Sequence, residues 1–367
     1  MATTKTTNCA IVIALLLLSA ASSAQIPDGY YNTAEGKWGS ELKTALHNII
    51  KGHTDNDYKG LWTTYQTSDT IQIAGNTYIY DIYSIRADRS ANYFYTVSAD
   101  QCGGSYKSEG DCYNREHIVP QSWFNEARPM VSDAHHIPPT DGKVNGMRAN
   151  YPHAQVATAT WTSTNGSRLG TCATAGYTGT VFEPIDEFKG DIARMYLYMA
   201  TRYEDKIASW SGEVIDGTTF PAYKPWYIDI LLQWHKQDSV SNKERWRNEA
   251  IYARQGNRNP FIDRPEFALY IWDPNCKPPT TPPTTPTTTT TAVTTIAHSI
   301  SIYPNPTKTG FYIETDATEV LVFNPNGTPL LRCAIAPNSR NWIDIARLPQ
   351  GLYIIRAGNA TARIVKI

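Results

Sequence analysis

Positive charge is not in excess in this chain. Lys and Arg total 33 against 34 Asp and Glu, a net charge of −1 with His neutral. Nucleic-acid binders are often basic overall, so bulk charge does not single out a polyanion as partner. Any basic surface has to be assembled by folding, or a bound cation has to supply it. Cysteine is scarce as well. The six Cys include no pair at CxxC spacing, which leaves a cysteine-held zinc poorly supported. The HExxH string of zinc peptidases is missing. Beyond the N-terminus, no stretch is long and apolar enough to cross a bilayer. The chain does have 367 residues, 41% of them hydrophobic, with 10 Trp and 23 Tyr. That is enough for one large domain or two ordinary ones with real cores.

The first 25 residues, MATTKTTNCAIVIALLLLSAASSAQ, place Lys5 ahead of an apolar run from Ala10 to Leu18. Small residues follow, and Ser22-Ser23-Ala24 precedes Gln25. This is the layout of a secretory signal peptide over 1–24, too short in its apolar part to anchor stably. Cleavage removes Cys9 and leaves Cys102, Cys112, Cys172, Cys276 and Cys333. An odd number of cysteines in an exported chain leaves at least one unpaired. Cys102 and Cys112, flanking a Gly- and Ser-containing loop, are the best disulfide candidates.

A Pro/Thr tract, KPPTTPPTTPTTTTTAVTT over 277–295, has almost nothing to bury and reads as an extended linker. It divides residues 25–276 from 296–367. In the first part, Leu42, Leu46, Ile49 and Ile50 recur at helical spacing, with Ser40 as a candidate cap and Gly52 as a candidate stop. GNTYIYDIYS over 75–84 alternates as a strand. Further helices are predicted at GDIARMYLYMATRY and PWYIDILLQWHKQ. The last part is built of short alternating runs separated by Asn, Pro and Gly, the pattern of a small all-β sandwich. The expected fold class is therefore α+β, mainly helical before the linker and all-β after it.

Chemistry-bearing residues concentrate between Asp111 and Pro152: Glu116, His117, Arg128, Asp133, His135, His136, Asp141, Asn145 and Arg148. YNREHIV and DAHHI read as two strands, and Thr140 or Asp141 can cap a helix through KVNGMRAN. A compact ββα unit would then bring His117 and Asn145 together. Phosphodiester hydrolysis has use for these groups. An imidazole of pKa near ~6.5 can take the proton of the attacking water. A hard cation on oxygen ligands offsets charge on the leaving oxygen, and an arginine fork can hold a phosphate. A zinc site on His117, His135 and His136 is the competing arrangement. Adjacent His135 and His136 on a strand point to opposite faces, so one is expected inward and one outward. Glu116 and His117 raise the same difficulty, which a bulge or strand end near Pro120 would resolve.

At these residues the chain resembles the endonuclease I family of secreted and periplasmic nucleases, of the His-Me finger (ββα-metal) group. The matching strings are NREHIVPQSWF, SDAHHIPPTDGKVNGMRANYP, VFEPIDEFKGDIARMYLYMATRY, LLQWHKQDSVSNKERWRNEAI and QGNRNPFIDRPEFA, and the likeness covers about 28–272. The resemblance implies a divalent-metal-dependent endonuclease using Mg²⁺, or Mn²⁺ or Ca²⁺, that cuts DNA and often RNA to leave 5′-phosphates. Carried over by position, His117 is the general base, and Glu116 and Asn145 are the metal ligands. Arg128, the sole Arg in the loop after the first strand, steadies the scissile phosphate. Arg148 is expected to bind substrate. Arg264 stands where the family's FID-x-PE string leads one to expect His. Past the linker, SIYPNPTKTGFYI and GLYIIRAGNATARIVKI resemble the C-terminal sorting domains of type IX secretion cargo. This implies a secreted or surface-held protein, handled by the type IX machinery; a monomer is expected. Two rivals remain, a secreted zinc hydrolase and a non-catalytic surface-binding protein. Stoichiometric zinc with peptide cleavage would favour the first, and binding without turnover the second.

Overall fold

A computed structural model describes residues 26–278, 300–324, 329–346, 348–358 and 360–367. The expected signal peptide, and the linker beyond Pro278, lie outside these residues. The chain divides into two compact units on either side of the Pro/Thr tract.

The first unit is organised around one buried helix. Helix α1 (Gly39–Ile50) and α2 (Asp57–Ser68) precede a hairpin of β1 (Thr70–Ile73) and β2 (Asn76–Ile79). Strand β3 (Tyr113–Arg115) pairs antiparallel with β4 (Pro139–Asp141), and α3 (Gly142–Arg148) follows directly. A three-stranded antiparallel sheet, β5 (Val156–Thr162), β6 (Arg168–Cys172) and β7 (Thr180–Glu183), leads into α4 (Lys189–Arg202). Helices α5 (Pro225–Gln237), α6 (Asn242–Gln255), α7 (Pro260–Asp263) and α8 (Glu266–Trp272) complete the unit.

Every residue of α4 is buried, and α1, α5 and α7 pack against it. A helix covered all round must satisfy its polar side chains internally. Arg194 therefore grips the Glu244 carboxylate, and Lys189 reaches Glu183 at 2.6 Å. Glu244 also completes a capping box with Ser241 at the start of α6, so one carboxylate serves both a helix end and the core.

Local chemistry decides where the sequence periodicity holds. Leu42, Leu46 and Ile50 of α1 are fully buried, as their spacing predicts. The ends differ from expectation. Trp38 occupies the cap position of α1 with no side-chain cap bond, and Lys51 closes the helix. The strand expected over 75–84 stops at Ile79. Asp81 turns the chain there, its carboxylate accepting the Tyr83 and Asp141 amides at 2.7 and 2.8 Å, a local side-chain bond that competes with the ladder.

The second unit is a sandwich of two antiparallel sheets. One has the order β11 (Pro329–Ala334), β10 (Glu319–Phe323), β13 (Gly351–Ala357), β14 (Ala360–Lys366). The other has β12 (Ser339–Asp344), β9 (Gly310–Thr315), β8 (Ile300–Tyr303). Phe311, Ile313, Val320, Val322, Ile343, Ile355 and Ile364 form its core, as the alternation predicts.

Candidate active site

The β3–β4–α3 unit sets the site. Asp141, the last residue of β4, caps α3 by accepting the Val144 amide at 2.8 Å on Oδ1. Its Oδ2 accepts from Tyr93, Tyr95 and the Gly110 amide at 2.8, 2.6 and 2.8 Å. Burial and the nearby Asp141 charge raise Asp81 to about 8, so Asp81 carries a proton beside an Asp141 already rich in donors. The Cys102–Cys112 disulfide forms as expected, with Cα atoms 5.7 Å apart, and the Cys112 carbonyl accepts the Gly142 amide at 2.9 Å. Tyr106 lies across α3. A Cβ on Gly142 would sit 2.7 Å from its ring and one on Gly146 closer still to its hydroxyl, so the two glycines let Tyr106 approach the helix closely.

Strand β3 ends at Arg115, before Glu116 and His117. The regular alternation that would have set those two side chains on opposite faces therefore does not apply to them. The backbone continues with the Glu116 amide bonded to the Pro138 carbonyl at 2.9 Å and the Ile118 amide to the His136 carbonyl at 3.1 Å. His117 is 7% exposed. Its Nε2 lies 3.1 Å from the Val131 carbonyl, which can only accept, so Nε2 carries the hydrogen and the neutral ring's lone pair is on Nδ1. Among the described residues Nδ1 has no hydrogen-bond partner. The ring stacks on Tyr58, with centroids 5.7 Å apart and planes at 27°, and lies 5.7 Å from the His136 ring. Burial, the neighbouring His136 and the nearby Arg148 lower His117 to about 3.

Glu116 points into the protein and is 1% exposed. Its Oε1 accepts from Arg148 Nη1 and from the Tyr83 hydroxyl, both at 2.9 Å. Tyr83 has spent its proton on Glu116, so His153 Nε2 donates to Tyr83 at 2.8 Å, and His153 Nδ1 accepts from Tyr196 at 3.1 Å. Burial raises the Glu116 carboxyl, and Arg148 and Tyr83 counter that rise. Arg148 is 1% exposed. It also donates to the His117 carbonyl at 2.6 Å, to the Ile118 carbonyl, and through Nε to the Tyr151 carbonyl at 3.1 Å. This is a correction to the sequence reading, which gave Arg148 to the substrate: its donors are turned inward and occupied. Arg148 clamps the backbone that carries His117.

Asn145 is half-buried on α3, and its Nδ2 donates to the Arg115 carbonyl at 3.4 Å. The helix carrying Asn145 and Arg148 thus runs along the backbone of residues 115–118; Arg148 meets the Glu116 side chain, whereas the His117 ring turns to Tyr58, the Val131 carbonyl and His136. Arg128 is drawn elsewhere. Its side chain is 59% exposed and Nε lies 2.7 Å from Asp55, whose other oxygen accepts from Ser132 at 2.6 Å. Arg264, at the family's departure point, pairs with Glu35 and Glu266.

The second predicted strand, DAHHI, is instead a 3-10 turn over Ala134–His136. Asp133 causes this. Its Oδ1 accepts the His135 amide at 3.1 Å and Gln255 at 3.0 Å, while Oδ2 accepts Tyr198 and Tyr203 at 2.8 Å each. The inward–outward split of the two histidines fails with the strand. Both are buried, their Nε2 atoms bonded to the Asn257 and Met130 carbonyls at 3.0 and 2.8 Å. Those bonds put the hydrogen on each Nε2 and leave each Nδ1 as a buried lone pair without a hydrogen-bond partner. Among the described residues, no group of three or more His, Cys, Asp or Glu converges on a metal position. The sequence reading also missed Tyr58, Tyr83 and His153. They come from distant segments, and only their bulk hinted at burial.

The sequence pattern of the Endonuclease I family matches residues 38–266. The chain belongs to that family. It is an endonuclease. A secretion-system C-terminal sorting domain matches residues 301–367, and the protein is secreted. It is 38% identical over 247 residues to an extracellular ribonuclease of Bacillus amyloliquefaciens, covering 66% of this chain and 78% of that protein. An extracellular ribonuclease of Bacillus subtilis (strain 168) is 37% identical over 250 residues, covering 67% and 78%. An extracellular deoxyribonuclease of Aeromonas hydrophila is 27% identical over 186 residues, covering 44% and 72%. Among the described residues no helix is long and apolar enough to cross a membrane.

Proposed function

We propose that this endonuclease hydrolyses phosphodiester bonds of both RNA and DNA with little sequence specificity, leaving 5′-phosphates, with His117 as general base. The observation that carries this reading is the bond from His117 Nε2 to the Val131 carbonyl. It fixes the tautomer and leaves Nδ1 free to take the proton of a water poised for in-line attack. Burial keeps the ring neutral and by the same effect weakens it as a base, so proton transfer to it depends on substrate charge at the site. An anionic phosphate beside it stabilises the imidazolium once formed. Arg148 holds the peptide carbonyls of residues 117 and 118, and Tyr58 supports the ring face. Relatives named as ribonucleases and as deoxyribonucleases both support a substrate range across the two nucleic acids.

The donor set fits a hard divalent cation, Mg²⁺ or its Mn²⁺ and Ca²⁺ relatives. Asn145 spends its Nδ2 on a carbonyl, which leaves Oδ1 as a neutral oxygen donor. Glu116 contributes a carboxylate with one oxygen engaged by Arg148 and Tyr83. Two protein oxygens with water in the other positions is the usual manner of Mg²⁺ binding. When bound, the cation supplies charge stabilisation for the leaving oxygen. Arg128 steadies the phosphate on release from Asp55. The β3–β4–α3 unit is read as the His-Me finger, residues 1–24 as a removed signal peptide, 25–276 as the nuclease domain, 277–295 as a linker and 296–367 as the tail read by type IX secretion machinery. The protein acts as a monomer.

The test incubates the purified full chain and its His117→Ala variant with plasmid and with RNA, in Mg²⁺ and in EDTA. Cleavage of both substrates by the parent in Mg²⁺ alone is expected. Full activity of the variant, or cleavage by the parent in EDTA, defeats the reading.

A further inference from the structure

Three arginines surround the site, and two are already paired: Arg148 with Glu116 and Arg128 with Asp55. Arg115 differs. Its Cζ lies 3.6 Å from the centre of the Tyr58 ring and 4.3 Å from that of Trp62. Nη1 donates to the Tyr58 carbonyl at 3.0 Å. Nε is buried without a hydrogen-bond partner. Among the described residues no Asp or Glu forms an ion pair with this guanidinium. The side chain is only half-buried.

Its position is central. Arg115 directly precedes Glu116, and its carbonyl accepts from Asn145. Tyr58, whose ring it lies against, also stacks on His117. We propose that Arg115 is a phosphate-binding residue of the active site, holding a phosphodiester group of the nucleic-acid chain next to the bond being cut. This rests on the reading of His117 as the catalytic base.

The physical case has three parts. Two aromatic faces fix the guanidinium, so little side-chain freedom remains to be lost when an anion arrives. The unbalanced charge of the half-buried guanidinium is met by anionic oxygens, and the planar arginine fork matches phosphate geometry. Finally, a chain with net charge −1 cannot draw in nucleic acid by bulk attraction, so its phosphate contacts must come from individual cations left unpaired at the site. A purely structural clamp between α2 and β3 would account for the ring contacts. It would leave the missing carboxylate unexplained.

The experiment compares the full chain with Arg115→Met and Arg115→Lys. Met retains contact with both rings through its apolar stem and sulfur. Lys keeps the charge and loses the fork. Steady-state cleavage of RNA gives kcat and KM. Anisotropy with a short labelled DNA duplex in EDTA gives Kd as a function of salt. Arg115→Met should raise KM and Kd by about 10- to 100-fold. It should lower the slope of log Kd against log salt by about 0.9, the share of one phosphate contact, with the thermal midpoint unchanged. Arg115→Lys should keep the salt slope and still raise KM. Unchanged KM and salt slope in Arg115→Met overturn the proposal, as does a lowered thermal midpoint with an unchanged slope. If Arg115→Met does not fold, a parent-like KM in Arg115→Lys overturns it. A parent protein that neither binds nor cuts nucleic acid defeats the nuclease reading and this proposal with it. Normal parental cleavage beside an unaltered Arg115→Met defeats this proposal alone.

Discussion

Replacing Arg148 by Met should destabilise the first unit by about 3–5 kcal/mol at neutral pH. The figure follows from what the guanidinium holds. Removing one partner of a buried ion pair costs roughly 3–5 kcal/mol, and Glu116 and Arg148 are each 1% exposed. The stranded Glu116 can escape its charge only by taking a proton. For a carboxyl of ordinary pKa near ~4.3, that costs about 1.4 kcal/mol for each pH unit above it, or about 4 kcal/mol at pH ~7. The carbonyls of His117, Ile118 and Tyr151 lose donors as well, which adds to the loss. The sign with pH follows. In the variant the folded Glu116 pKa lies above its unfolded value, so the folded state binds the extra proton and the deficit narrows as pH falls. Urea melts at about pH 7 and about pH 5 measure this. Tryptophan fluorescence reports the first unit, which holds all of the 10 tryptophans except Trp342. The companion variant Glu116→Gln/Arg148→Met should recover much of the loss, because no buried charge is then stranded. A loss below about 1 kcal/mol, flat with pH, refutes the clamp. A raised KM with stability unchanged would return Arg148 to the substrate.

Other outcomes follow from the same structure. His117→Ala should lose about a hundred- to ten-thousand-fold in kcat with a parental melting curve, and a smaller loss argues against a general base. Asn145→Ala should need more Mg²⁺ for half-maximal activity, and an unchanged titration counts against Asn145 as ligand. His135, His136 and His235 are each lowered to about 4 by burial. The unfolded chain therefore takes protons near pH ~6.5 that the folded chain refuses until far lower, and stability drains away across that window as pH falls. Asp81, raised to about 8, acts in the opposite sense, so the check is differential: His235→Asn should gain on the parent as pH drops, and a constant difference contradicts the assignment. The double variant Cys102→Ser/Cys112→Ser opens a bridge of sequence separation 10. It should cost about 2–3 kcal/mol, and an unaltered thermal midpoint would deny that contribution.

Where apolar residues recur periodically, the fold was legible. α1, α4 and α5 follow from apolar residues at three- and four-residue spacing, and the tail's two sheets follow from alternation. The misreadings share one cause. DAHHI alternates like a strand, yet Asp133 bonds the amide two residues on and two tyrosines of α4's end, Tyr198 and Tyr203. YIYDIYS also reads as a strand, yet Asp81 bonds the amide of Tyr83. In both places a buried carboxylate offered the backbone a partner that a ladder could not match. Hydrophobic periodicity cannot register such a bond, because it follows apolar residues and not a side-chain acceptor two positions away.

The site divides along the same line. Residue type and chain position were enough to nominate Glu116, His117, Asn145, Arg128 and Arg148. They were not enough to distribute the arginines, because a guanidinium acts according to which anion it already holds. Arg148 is committed to Glu116, and Arg128 to Asp55. Arg115 stood in the same matching string as Glu116 and His117 and drew no role, since nothing local marks an arginine as uncompensated. Its freedom is a property of the folded charge map. In a chain whose acidic and basic residues nearly cancel, that map makes a binding cation the one that folding fails to neutralise.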